Sequence, residues 1–313
     1  MTWAAWRVQR SQIIAAMGVV LVFALWLLIS GIVTGHNPTF KYWTDADVYV
    51  LFALPGVLGL ALGAPLIAGE SSLGTNRLAW TQSVTRNRWF AFKFLVGGVV
   101  TAGIVIALGF LLDWWTGAVS VSALTNSGGF SSAVRIQPTA FDLSGIVVIG
   151  YALFAFSLGV ALGAVVRRPG WAFALGIPIF AAARIVVQGS LRAHFVAPAI
   201  FTNLAGLSNS TLAVDRGWVL HSALLPANRL SPPPGRTWAW SDSTKSYDAC
   251  RGAPNLSNAG AAHCAALSHL HFVFVYQPES HYWALQGIET AIFLGLGLLL
   301  VGLTVMRLKN WRT

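Results

Sequence analysis

IIAAMGVVLVFALWLLISGIVT, residues 13–34, contains no charged side chain. A bilayer hydrocarbon core of about 30 Å is crossed by roughly 20 apolar residues rising 1.5 Å each, so this stretch has the length of a membrane span. Five more stretches read the same way. They lie between Asp47 and Glu70, between Lys93 and Asp113, between Asp142 and Arg167, from Pro169 past Arg184 towards Gln188, and over 283–306, which contains Glu289. Pro55 and Pro65 fall inside the second and Pro178 inside the fifth. Neighbouring helices can satisfy the carbonyls that prolines leave free.

Composition agrees. The chain has 313 residues, of which 56% are hydrophobic and only 10% charged. A soluble domain carries about 25% charge. The formal net charge of +10 is unevenly placed. Arg7 and Arg10, then Arg77, Arg86, Arg88 and Lys93, then Arg167 and Arg168, and finally Arg307, Lys309 and Arg312 all flank one set of span ends. The opposite short loops balance Lys41 against Asp45 and Asp47, and Arg135 against Asp113 and Asp142. Short basic flanks face the cytoplasm, so both termini are expected inside a cell membrane. The same reading argues against nucleic-acid binding. The first apolar run is too long for a signal-peptide core and has no small-residue cleavage site close behind it, so it reads as a retained helix.

The expected fold is an all-α integral membrane protein of six transmembrane helices. Residues 1–11 form a cytoplasmic interfacial helix, with Trp3 and Trp6 at headgroup depth. Residues 12–112 hold helices one to three, 113–142 an outer loop, 143–187 helices four and five, 188–282 an outer cap, 283–306 helix six, and 307–313 a cytoplasmic tail. Loops as long as the cap are uncommon unless functional, and short helices are expected within it. Cys250 and Cys264 fall on the oxidising side by this topology, so a disulfide is the expected pairing. A metal site using Cys250, His263, Cys264, His269 and His271 fits no compact zinc spacing. Glycine pairs four apart, Gly59 with Gly63 and Gly159 with Gly163, suit close helix packing.

Chemistry is sparse. The chain contains no G-x-x-x-x-G-K-[ST], H-E-x-x-H, G-x-S-x-G or C-x-x-C. It therefore lacks a phosphate-cradling loop of its own and the common hydrolytic and redox signatures. The informative stretch is GESSLGTNRLAWTQSVTRNRWFAFKFL, residues 69–95, which joins the second and third spans. Glu70 ends one span, Gly74 and Thr75 open a turn, and Leu78 and Trp80 offer an apolar pair beside Arg77, Arg86 and Arg88. Thr75 can cap a helix start, and the apolar pair can bury in a partner's groove.

In this block the chain resembles the permease subunits of ABC-2 type transporters. The last part, YQPESHYWALQGIETAIFLGLGLLLVGLTVMRLKNW, resembles the final segment of a permease group within that family. Gln82 stands where many relatives carry proline, and the 188–282 loop is long for the family. The resemblance implies that residues 70–88 form a coupling segment, with Glu70, Gly74, Thr75, Arg77, Leu78, Trp80, Arg86 and Arg88 meeting a separate ABC ATPase. It implies that ATP and magnesium belong to that partner, with no cofactor in this chain. It also implies a second permease subunit, identical or paralogous. The function implied is export of an amphipathic or lipid-like molecule, such as a drug, peptide antibiotic or lipid. Two rivals are a membrane enzyme of acyl or glycosyl transfer using His269 and His271, and an antibiotic sensor or immunity module that does not transport.

Two ionisable residues fall inside spans. Arg184 lies 16 residues beyond Arg168 and Glu289 lies 18 before Arg307, which puts them about 24 Å and 27 Å above the inner flank. Charges at such depth are costly unless paired or wet. Each side chain can snorkel separately to the outer interface, or contact cargo directly; the sharper expectation is an Arg184–Glu289 ion pair tying spans five and six at the outer gate.

Overall fold

The structure, a computed structural model, describes residues 18, 21–22, 24–26, 28–29, 45–73, 85–118, 135–136, 138–204, 217–226 and 270–309. Helices are α1 (Asp45–Leu73), α2 (Arg86–Ala118), α3 (Pro138–Leu143), α4 (Val147–Val166), α5 (Pro169–Val186) and α6 (Tyr282–Lys309). Strands are β1 (Ala199–Leu204), β2 (Trp218–Pro226) and β3 (Leu270–Gln277). Among the described residues five stretches are long and apolar enough to cross a membrane: Leu51–Gly69, Asn87–Leu112, Val147–Val166, Pro169–His194 and Glu279–Lys309. They correspond to expected spans two to six. Of the first expected span, Gly18, Leu21, Val22, Ala24, Leu25, Trp26, Leu28 and Ile29 are described, each of them helical. The interfacial helix of residues 1–11 lies outside the described residues, as do Cys250 and Cys264.

The chain divides into two compact units. The first holds α1, α2, α4, α5, and α6 from Leu285 onward. Its centre is α4, of which 78% of the span is buried, against 22% for α2. The composition of α4, VVIGYALFAFSLGVALGAVV, explains this: it carries no charge and three glycines. A Cβ added at Gly159 would lie 2.7 Å from the Ala64 backbone nitrogen, and one at Gly163 would lie 2.6 Å from the Ala64 carbonyl oxygen. From the other side, Cβ atoms at Gly59 and Gly63 would overlap the carbonyl oxygens of Ala152 and Phe156. The two glycine pairs therefore seat α1 and α4 backbone against backbone within the chain. Phe156 fills the neighbouring space with Leu62, Leu66, Ile67, Phe90 and Leu308. By contrast Leu95, Val99 and Phe110 on α2, and Leu298, Leu299 and Leu303 on α6, are exposed, as lipid-facing side chains are.

The second unit comprises residues 133–138 and 193–284. The helical membrane part is as expected, and the correction concerns the cap, whose described part holds strands where short helices are expected. It contains an antiparallel sheet in the order β1-β3-β2, with Ala199 opposite Tyr276, Leu204 opposite His271, and Trp218 opposite Gln277. β3, LHFVFVYQ, alternates Val273 and Val275 with Phe272, Phe274 and Tyr276. β-branched and aromatic residues at period two favour a pleated strand. Gln277 is fully buried, and its amide donates to the Val196 carbonyl at 2.7 Å while His281 Nδ1 lies 2.8 Å from its Oε1. The expected outer loop of residues 113–142 is also shorter, since α2 continues to Ala118 and α3 starts at Pro138.

Candidate functional site

Within the first unit α3, α5 with its continuation, and α6 bring four charged residues together around Tyr151 of α4. α3 carries Asp142, and the turn that follows it passes through Gly145 at φ 72°, a conformation that favours glycine. Gln286 of α6 locks this turn. Its Oε1 accepts from the Val147 N–H at 2.8 Å, and its Nε2 donates to the carbonyls of Phe141 and Ser144, both at 3.1 Å. Gln286→Leu, of similar volume, removes all three of those bonds. It is expected to destabilise the purified protein by about 2–4 kcal/mol, since each unsatisfied buried group costs about 1–3 kcal/mol. Denaturant titration of wild type and variant measures it.

One turn along α6, Glu289 is fully buried. Its Oε2 accepts from Arg192 Nε at 2.7 Å and its Oε1 from Arg192 Nη2 at 2.9 Å. The same Nη2 also donates to Asp142 Oδ1. The Tyr151 hydroxyl stands 2.5 Å from Glu289 Oε1 and 3.2 Å from Asp142 Oδ1, and its ring packs edge-on against Phe293. Gln188 Nε2 donates to Asp142 Oδ2 at 2.7 Å. Burial pushes the Asp142 carboxyl above the ordinary carboxylate range, and Arg192 and then Arg184 oppose that rise. The guanidinium of Arg192 lies 4.4 Å over the Phe141 ring. Two carboxylates and two guanidiniums sum to zero charge, which is how a cluster this dry is tolerated.

The expected pair of Arg184 with Glu289 is corrected. Both residues belong to the cluster, but the direct partner of Glu289 is Arg192, and Arg184 lies beside Asp142 with Nη2 3.5 Å from Oδ2. The reason lies in where the fifth span ends. A boundary at residue 187 places Arg192 in the cap, whereas the helical path runs on through a π-turn (Val187–Leu191) and a 3₁₀ turn (Arg192–His194). Arg184, Gln188 and Arg192 are thus spaced i, i+4 and i+8 along one continuous winding, the stripe that signals a shared helix face. Asp142, by sequence a loop charge, stands between the two arginines.

Of the coupling residues, Gly74, Thr75, Arg77, Leu78 and Trp80 lie outside the described residues. Glu70 falls in α1 and Arg86 opens α2, and Arg88 on α2 is exposed.

Helices of this length and apolarity around a dry, charge-balanced cluster define a multi-pass membrane protein. The family described as ABC-2 membrane transporter related matches residues 33–192, just over half of the chain, and the chain belongs to that family. The matched segment includes Asp142, Tyr151, Arg184, Gln188 and Arg192, with Glu289 beyond it. Searches of curated proteins and of solved structures returned no significant match.

Proposed function

We propose that this chain is the transmembrane subunit of an ATP-driven exporter. It moves an amphipathic or lipid-like molecule out of the cytoplasm or the inner leaflet. A separate ABC ATPase supplies ATP and magnesium chemistry, and a second permease, identical or paralogous, completes the pathway. Both termini face the cytoplasm of a cell membrane. Family membership supports the transporter class. The observation that carries the mechanism is the Arg192–Glu289 ion pair, shared with Asp142. It joins the continuation of α5 to α6 and to α3, on the side away from the basic flanks. In this reading it is a latch that holds the outer ends of these helices together until ATP-driven movement parts them.

Copurification tests the reading most directly. The 70–88 segment, with its Leu78 and Trp80 pair, is the proposed ATPase dock. Trp80→Asp puts an unpaired charge into the partner's groove, where a lost hot spot costs about 2 kcal/mol or more. ATPase recovered with the detergent-purified subunit is expected to fall at least about tenfold, while membrane insertion is normal. Full recovery with undiminished ATP hydrolysis would overturn the docking assignment. Vesicle uptake then separates an exporter from a sensor that binds without transporting.

A further inference from the structure

Arg184 is the unsettled member of the cluster. It is 6% exposed, and its Nη1 donates to the Phe52 carbonyl. Its Nε and Nη2 have no hydrogen-bond partner. Those two atoms form one edge of the guanidinium, the edge that takes a carboxylate through two parallel bonds. Asp142 is close enough to attract it but is held elsewhere, by Arg192 on Oδ1 and by Gln188 on Oδ2.

Both of those competing donors sit on the irregular part of the helix. The Arg192 N–H reaches back five residues to the Val187 carbonyl, and the 3₁₀ turn follows at once. An underwound stretch followed by an overwound one displaces the residues between them, chiefly Gln188 to Arg192, around the helix axis. Single π-turns inside α-helices recur at functional sites. If the pair of turns rewinds to ordinary α-helix, Arg192, at the far end of the π-turn, rotates most, Gln188 near its start moves little, and Arg184, in the regular part of α5, stays.

We infer that Asp142 is an exchangeable latch, bound by Arg192 while the π-turn persists and by the open edge of Arg184 when it rewinds. One local change withdraws Arg192 and leaves Arg184, whose Nη2 already stands 3.5 Å from Asp142 Oδ2, as the nearest cation. The long Arg192 stem and the Tyr151 hydroxyl keep Glu289 bonded through the change. Each state leaves both carboxylates facing a guanidinium, and balanced packings of this kind can switch. The inference rests on the transporter reading only for what drives the switch, namely the nucleotide cycle of the ATPase.

Backbone hydrogen exchange over residues 187–192 of the purified subunit tests it without any ATPase. Arg192→Gln removes the group that holds the π register, and these amides are expected to slow by about tenfold as closer backbone bonds form. Gln188→Leu, a milder variant that removes one neutral hydrogen bond, is expected to shift the same amides in the same direction. Deleting Gly189 restores a regular helix with both flanks on their present faces. Gly189 is exposed, and a Cβ there would meet nothing within 4 Å, so the deletion sacrifices no packing. The deletion should show the slow pattern from the outset and respond to neither substitution. In the copurified complex, vanadate trapping should slow the wild-type amides but not those of the deletion or of Arg184→Gln. Amides unmoved by both Arg192→Gln and Gln188→Leu overturn the latch, whatever the ATPase does. Amides that move in the isolated subunit when no ATPase can be recovered overturn the transporter reading and leave the latch standing.

Discussion

Replacing Arg192 by Gln is expected to cost about 3–5 kcal/mol of stability, because breaking a buried ion pair from one side leaves an uncompensated charge. Here it leaves two. Glu289 loses both guanidinium contacts and Asp142 loses one. The loss should shrink as pH falls. Burial already raises the Asp142 carboxyl, and without Arg192 it takes up a proton more readily. A buried acid with a raised titration point destabilises above that point and ceases to do so below it. Unfolding of the detergent-solubilised variant at pH 8 and pH 5 measures both effects. Adding Glu289→Gln to Arg192→Gln should cost much less than the sum of the single losses, because the carboxylate left stranded is then neutral. Equal losses at both pH values, with strict additivity of the two substitutions, would show that the cluster is not held by charge.

The second large effect is steric. Gly63→Val is expected to destabilise by about 3 kcal/mol or more, at or beyond the upper end of the usual overpacking range. A Cβ at residue 63 overlaps the Phe156 carbonyl oxygen and lies 3.0 Å from its carbonyl carbon. Those are backbone atoms in the most enclosed helix and cannot swing aside as a flexible side chain would. α1 and α4 would have to separate along their length. Gly295→Ala is the matched control. Nothing lies within 4 Å of a Cβ there, so the isolated subunit is expected to gain up to about 1 kcal/mol from the better helix former. Thermal or denaturant unfolding of the two variants side by side makes the comparison. If Gly63→Val unfolds like wild type, the backbone contact between α1 and α4 is not what the glycines are for.

Where the five described long apolar helices run was legible from one-dimensional patterns alone. Apolar runs between Asp47 and Glu70, or between Asp142 and Arg167, end at charges that lipid excludes, and the helices follow them closely. The glycine pairs were legible as close-packing steps because a missing side chain has the same consequence on any helix. The sheet was less so. β3 alternates over only eight residues, and its partners β1 and β2 lie tens of residues upstream, so the pattern becomes a strand only when the strands meet.

For the charge cluster, sequence supplied one coordinate of three. Counting residues from the basic flank gives depth along a helix, and it placed Arg184 and Glu289 at matching heights. Depth says nothing about which way a side chain faces or which helix stands beside it. Those were decided by packing: by the α1–α4 glycine contact, by Gln286 locking the α3–α4 turn, and by the π-turn that carries Arg192 on past Arg184. Glu289 and Arg192 are 97 residues apart, and no local rule links them. Sequence determined that buried charges had to find partners, since lipid offers none, whereas the tertiary structure decided which partners they found.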